Sequence, residues 1–293
     1  MIKIGEINYL NVYPIYYFLK KERLRNKNGF CFLEFILGTP VFLNQALQNG
    51  YIDISPSSSF YYALNYDNSV LFKNISISSK KKVRSILLFS PKSIDEFSGN
   101  ETIYITPETM TSINLLKVLL TEKYKFDIKN INFIIMPSDA DFRLKAGTGL
   151  GSGKISLHIG DNALKFENDN IHAGYFSYDL ADLWYEFTGF PFVFALFIIR
   201  KDSYEKNKDE FKILYEYLIK AKDKAVLNFK EVLKPVMADN FYNFITGEEL
   251  LDYWTSCLSF DLGENEINGY KLYCEFLYKN KIIPVVPSFN FIL

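Results

Sequence analysis

Cysteine is scarce: Cys31, Cys257 and Cys274 are the only three in 293 residues. An odd and widely spaced set suggests neither a disulfide framework nor a metal knuckle, so the three read as buried small apolar residues. Histidine is scarcer. His158 and His172 cannot make a zinc site without carboxylate or thiolate partners at ligand spacing, and no such spacing occurs. No metal is expected. Arginine occurs five times, and 33 basic residues balance 34 acidic ones to a formal net charge of -1. No basic tract follows from that balance, which argues against nucleic acid as a partner. No uninterrupted apolar stretch is long enough to span a bilayer, and "MIKIGEI" opens directly as a strand without the apolar core of a signal peptide. The expectation is a cytoplasmic protein with no membrane partner.

What is present is a large apolar fraction, 48% of residues, enough for a substantial core in one large or two modest domains. Strand-like and helix-like runs alternate over the first two thirds: "IKIGEI", "PIYYFLKKERL", "FCFLEFIL", "VFLNQALQNG" with Gly50 as a stop, and "YIDIS". A second series follows, with "ETIYI", "TSINLLKVLLTEKY", "INFIIMP", a helix in "DADFRLKA", "KISLHIG", and "YDLADLWYEFTG" ended by Gly189 and Pro191. Alternation of this kind predicts α/β architecture with a parallel or mixed sheet. The last third reads as amphipathic helices, including a Thr246 to Glu249 capping box.

Two long apolar strands separate these blocks, "VRSILLFSP" around Ser85 and "PFVFALFIIR" around Phe194. Each is long enough to run between two lobes. That places residues 1–85 and 196–293 in lobe one and 86–195 in lobe two, with the ligand site in the cleft between them. The glycine-rich "GTGLGSGKIS", Gly147 to Ser156, is not a phosphate loop. Thr148 stands where the first glycine of that motif belongs, and Ile155 follows Lys154 where Ser or Thr is needed. It reads as a connector.

Polar residues recur at element ends. "IGEINYLNVYP", Ile4 to Pro14, places Asn8, Tyr9 and Asn11 between a strand and a proline that can begin a helix. "TPETMTSINLLKVLL" gathers Thr109, Thr111 and Ser112 at a helix start, with Ile113, Leu116 and Leu120 expected to face inward, and "DISPSSSFYYALN" does the same with Ser58 and Ser59. Helix N-termini with hydroxyls can hold a carboxylate without arginine, and the same residues can simply cap the helix. Asn11 likewise suits either a ligand amide at the carboxyl edge of the sheet or an Asx turn before Pro14.

Several stretches together, "INYLNVYP", "GTPVFLNQALQNGYIDISPSSSFYYALN", "VRSILLFS", "TPETMTSINLLKVLL", "LHIGDNAL" and "YDLADLWYEFTGFPFVFALFIIR", resemble the menaquinone-biosynthesis chorismate dehydratase family of the futalosine pathway. The resemblance implies a type II periplasmic-binding-protein-like fold, two α/β lobes with a ligand cleft between them, used as a hydro-lyase. The implied substrate is a small dianion, chorismate, which loses water to give 3-[(1-carboxyvinyl)oxy]benzoate without a cofactor. It further implies catalytic roles for Asn11 and Ser85 and substrate-binding roles for Ser58, Ser59, Thr109, Thr111, Ser112 and Asp161. Tyr9 is expected to pack, and Arg84 to point away from the cleft as a surface or inter-lobe charge. Asp161 and Asp179 are available as proton acceptors and equally able to cap helices. A carboxylate beside a dianion is unfavourable, so the substrate's own enolpyruvyl carboxylate is the favoured acceptor.

Two other functions fit the same pattern. The dihydroxynaphthoate synthases of the same pathway share the fold and carry a histidine followed by an acid where this chain reads Gly160 and Asp161. His158, two positions earlier, would share a strand face with Gly160. A solute-binding protein for a small anion is the other.

Overall fold

The computed structural model describes residues 1–25, 32–136, 153–170 and 174–293. Along the chain, the first block runs β1 (Ile2–Ile7), α1 (Tyr13–Arg25), β2 (Leu33–Gly38), α2 (Pro40–Gln48), β3 (Ile54–Ser58), α3 (Ser59–Asn65) and β4 (Ser69–Ser79). The second block runs β5 (Ile86–Ser90), β6 (Thr102–Ile105), α4 (Met110–Val118), β7 (Asn132–Ile135), β8 (Ile155–Ile159), α5 (Gly160–Asn170), β9 (Phe176–Asp179) and α6 (Leu180–Thr188). The remainder is β10 (Phe192–Arg200), α7 (Lys201–Lys206), α8 (Lys208–Leu227), α9 (Phe229–Met237), α10 (Gly247–Asp252), β11 (Leu258–Ser259), α11 (Glu264–Lys279) and β12 (Phe291–Ile292). Among the described residues no helix is long and apolar enough to cross a membrane.

Local chemistry accounts for many of the boundaries. Thr39 caps α2 by accepting the Phe42 N–H, Pro40 opens the helix with its preset φ, and Gly50 turns the chain at φ +73° after it. Thr246 and Glu249 form a reciprocal capping box on α10. Asp179 caps α6, and Gly189 closes it in the left-handed conformation.

The strands form two mixed sheets. The first has the order β11-β4-β10-β3-β1-β2 with β12 beside β4, and the second has the order β7-β6-β8-β5-β9. In the first, β1 is parallel to β2 and β3, while β10 runs antiparallel to both β3 and β4. This central position explains the sequence of β10: a strand covered on both faces reads as a continuous apolar run, and only Arg200 at its end escapes full burial.

The two apolar strands around Ser85 and Phe194 do not themselves run between the lobes. β5 pairs only within the second sheet and β10 only within the first, so residues 192–195 lie with the first sheet and not the second. The crossings are the irregular stretch 80–85 and the segment 180–191 that contains α6. They leave and re-enter side by side, since Phe192 pairs with Ser79. The register of β10 on β4 then shifts between Val193 and Ala195, a bulge at the edge of the cleft described below.

Candidate active site

A cleft opens between the lobes where the end of β1, the end of β3, the β10 bulge and the start of α4 converge. Its polar lining is Tyr9, Asn11, Ser58, Ser85, Glu108, Thr111 and Ser112, set in an apolar wall that includes Ile7, Ile86, Phe194 and Leu258. Among the described residues no lysine or arginine lines it. An anion bound here would be held by hydroxyls, an amide and backbone N–H groups.

Asn11 sits in the turn between β1 and α1. The turn is closed by the main chain, with the Val12 and Tyr13 N–H groups both donating to the Tyr9 carbonyl at 3.3 Å. The preceding residue is clamped from both sides: the Leu10 N–H donates to Asp161 Oδ1 at 3.0 Å, and its carbonyl accepts the Trp254 indole N–H at 2.8 Å. Asn11 therefore has little freedom of position. Its Oδ1 is buried and has no hydrogen-bond partner in the protein, so the Asx-turn reading does not account for it.

Ser85 ends the first crossing. Arg84 before it takes the left-handed conformation, φ 58°, which costs an ordinary side chain about 1–2 kcal/mol. The carboxylate of Asp179 offsets that strain. Its Oδ2 accepts the Val83 and Arg84 N–H groups at 2.8 and 2.6 Å, while Oδ1 accepts those of Ala181 and Asp182 at 2.9 and 3.2 Å. The Ser85 carbonyl accepts the Gly160 N–H at 2.7 Å, and its hydroxyl meets that of Tyr253 at 2.9 Å. Arg84 turns away from the cleft, toward Glu167 of α5 and Asp252 of α10.

The start of α4 presents Thr111 and Ser112 to the cleft, where the first N–H groups of a helix lack partners within it. The Thr111 hydroxyl is also an inter-lobe contact: it lies 2.6 Å from Ser58 Oγ and 3.3 Å from the Phe60 N–H that donates to it. Ser58 accepts the Tyr61 N–H as the cap of α3. Leu116 and Leu120 are buried behind the helix as expected, whereas Ile113 is only partly covered and Leu115 and Leu119 complete the apolar face.

Three of the eight residues assigned from the sequence do not line the cleft. Thr109 turns its hydroxyl back to the Thr106 carbonyl at 2.8 Å, stabilising the entry to α4. Ser59, the first residue of α3, is fully buried, and its carbonyl accepts the Tyr270 hydroxyl. Asp161 stands behind the Asn11 turn, bound to Leu10. Burial pushes its carboxyl up to about 7 against the single lowering bond from Leu10, and its Oδ2 has no partner. Asp179 acts as a cap and clamp, with its carboxyl raised by burial to about 6.

His158 does not line the cleft either. Its ring stacks on Phe166 at 4.2 Å and meets Phe89 edge-on, and burial pushes its pKa down to about 4. The strand alternation fails because Gly160, at φ +62°, has already turned into α5. A Cβ at Gly160 would lie 2.9 Å from the Tyr9 ring, so no larger residue fits there with Tyr9 in place. Cys257 and Cys274 are free and buried. Cys31, His172, the "DADFRLKA" helix and the glycine-rich connector up to residue 152 fall outside the described residues.

The sequence reading missed Glu108 and undervalued Tyr9. The Tyr9 hydroxyl donates to the Glu108 carboxylate across the cleft, joining the two lobes. Glu108 lies directly before Thr109 in a stretch already singled out, so its position was available even though its role was not. Tyr253 and Trp254 carry no local signal. They lie in a π-helical turn, Tyr253–Cys257, that continues α10, and such turns are common near functional sites.

Comparison with known proteins agrees with this architecture. A chorismate dehydratase from Thermus thermophilus is 28% identical over 219 residues, covering 68% of this chain and 70% of that protein. A solved structure of a protein from Archaeoglobus fulgidus superposes with a TM-score of 0.74 at 17% identity, covering 96% of this chain and 98% of that one. A Candida albicans gene product described as having the generic periplasmic binding protein fold superposes with a TM-score of 0.68 at 11% identity, covering 97% and 91%. These structures establish a two-lobed, periplasmic-binding-protein-like fold. A family model described as menaquinone biosynthesis matches residues 2–279, and the chain belongs to that family.

Proposed function

We propose that the protein is a chorismate dehydratase, a hydro-lyase that converts chorismate to 3-[(1-carboxyvinyl)oxy]benzoate on the futalosine route to menaquinone. The observation that carries this reading is the meeting of Asn11 and Ser85, from separate segments, with the start of α4 on one cleft whose described lining holds no cationic side chain. A dianion in such a cleft is bound by directed hydrogen bonds and the helix dipole.

The reaction breaks the ring C–O bond and a ring C–H bond, water leaves, and the ring becomes aromatic. Aromatisation supplies the driving force, so the protein's task is geometry and charge stabilisation. The N–H groups of Thr111 and Ser112, with the Ser112 hydroxyl, hold one carboxylate. Asn11 and Ser85 donate to the departing hydroxyl and to the substrate oxygen beside it, and the enolpyruvyl carboxylate takes the ring proton and passes it to the departing oxygen, which leaves as water. The dihydroxynaphthoate synthase reading requires a histidine at position 160, where the positive φ and the Tyr9 ring leave no room.

The test is incubation of the purified protein with chorismate and identification of the product by chromatography and mass. Release of the enolpyruvyl-oxybenzoate is expected, and unchanged chorismate would overturn the reading. Ser85→Ala should lower turnover about ten- to hundred-fold, the loss of one charge-assisted hydrogen bond that tightens in the transition state.

A further inference from the structure

We propose that Tyr253 is a positioning residue for the dehydration: it commits the Ser85 hydroxyl to donate into the cleft. Both side chains are shut off from solvent, Tyr253 at 0% and Ser85 at 2% exposure, and their oxygens lie 2.9 Å apart. A buried hydroxyl hydrogen needs an acceptor. For Tyr253, Ser85 Oγ is the acceptor found among the described residues. The phenol hydrogen is thus spent on Ser85. The hydrogen of Ser85 must then go elsewhere, and Ser85 also lines the cleft.

The consequence is directional. A serine hydroxyl alone in a cleft wall can rotate to accept or to donate, whereas one that already accepts from a tyrosine presents its hydrogen outward. That is the orientation needed to stabilise an oxygen leaving with its bonding electrons. Burial reinforces the arrangement by holding the phenol in its protonated, donating form.

The placement of Tyr253 fits the same role. It is the first residue of the π-helical turn, and the next residue, Trp254, donates to the carbonyl of Leu10 immediately before Asn11. One turn of the C-terminal region therefore orients both residues assigned to the chemistry, from a part of the chain that contributes neither.

The inference rests on the chorismate reading. The experiment measures kcat, KM and thermal midpoint for the parent chain, Tyr253→Phe, Ser85→Ala and the double variant. Tyr253→Phe keeps the ring and removes one oxygen. It is expected to lower kcat about ten-fold with KM nearly unchanged, and the double variant should be no slower than Ser85→Ala, because the phenol acts only through Ser85. A parent-like kcat in Tyr253→Phe, or losses that multiply in the double variant, would overturn the inference while leaving the chorismate reading intact. A parent chain that does not consume chorismate overturns both. Fluorotyrosine incorporated at position 253 keeps ring and hydroxyl and strengthens the donor, so it decides the matter even where phenylalanine unfolds the chain. It should change kcat only when Ser85 is present, and an equal change in the Ser85→Ala background would overturn the proposal.

Discussion

Asn11 and Ser85 reach the cleft on different segments, and each segment is held by one buried aspartate of the second block and one aromatic residue of the C-terminal turn. The Asn11 turn has Asp161 and Trp254. The Ser85 crossing has Asp179 and Tyr253. The two aspartates are not equally served. Asp179 accepts four backbone N–H groups with both oxygens, whereas Asp161 accepts one and leaves Oδ2 buried without a partner. Their carboxyls are raised accordingly, to about 6 and about 7, because hydrogen bonds to the charged form counteract burial. One carboxylate is a finished structural joint. The other, with one oxygen unpartnered, sits behind the turn bearing Asn11.

The largest effect is expected at the cleft itself. Asn11→Asp keeps size but sets a full negative charge against the dianion proposed as substrate, so turnover should fall roughly a hundred-fold or more. Asn11→Ala removes a donor without adding repulsion and should be less harmful. Both should keep the parent thermal midpoint. Near-normal turnover in Asn11→Asp would remove the residue from the site, and a large fall in midpoint for both variants would make the turn its only role.

Next comes the finished joint. Asp179→Ala strands four N–H groups and releases the strained Arg84 conformation, a loss of about 3–5 kcal/mol, or on the order of 10 °C in thermal midpoint. Asp161→Ala strands one and should cost clearly less. Equal losses in a paired thermal melt would show that donor count does not distinguish the two sites.

The subtlest effect is a pH dependence at Asp161. Its folded pKa, about 7, lies above the unfolded value of 3.8, so the folded chain holds a proton that the unfolded chain releases. The stability this provides is complete below the unfolded value and is lost as pH rises toward and through about 7. Asp161→Asn stays neutral and keeps an oxygen for Leu10. Its thermal midpoint should exceed that of the parent by a few degrees at pH 8, with the gap closing toward pH 4, and a gap independent of pH would contradict the assignment.

Much of the local structure was legible in the residues. Thr39 with Pro40, the Thr246 to Glu249 box and Gly189 after α6 each act through neighbours a few positions away, so their chemistry is visible in sequence. The apolar run of β10 announced a long strand, which the structure covers on both faces and does not send between the lobes. It could not say which sheet would claim it, because pairing depends on partners such as Ser58 and Ser79, more than a hundred positions away.

The cleft divides in the same way. By itself the sequence determined that polar groups collect at the ends of β1 and β3 and at the start of α4, because strand-to-helix junctions bring hydroxyls and amides to an edge. Only the tertiary structure decided which of them face inward. Ser58 and Ser59 are neighbours, yet one lines the cleft and the other is fully buried in the first turn of α3. Thr109 and Thr111 differ by two positions, and one bonds its own loop while the other reaches the opposite lobe. The same holds for Asp161, Tyr253 and Trp254, whose partners are 151, 168 and 244 residues distant in the chain. Local propensity sets where a polar group stands, but its hydrogen-bond partner is chosen by whichever distant segment is packed against it.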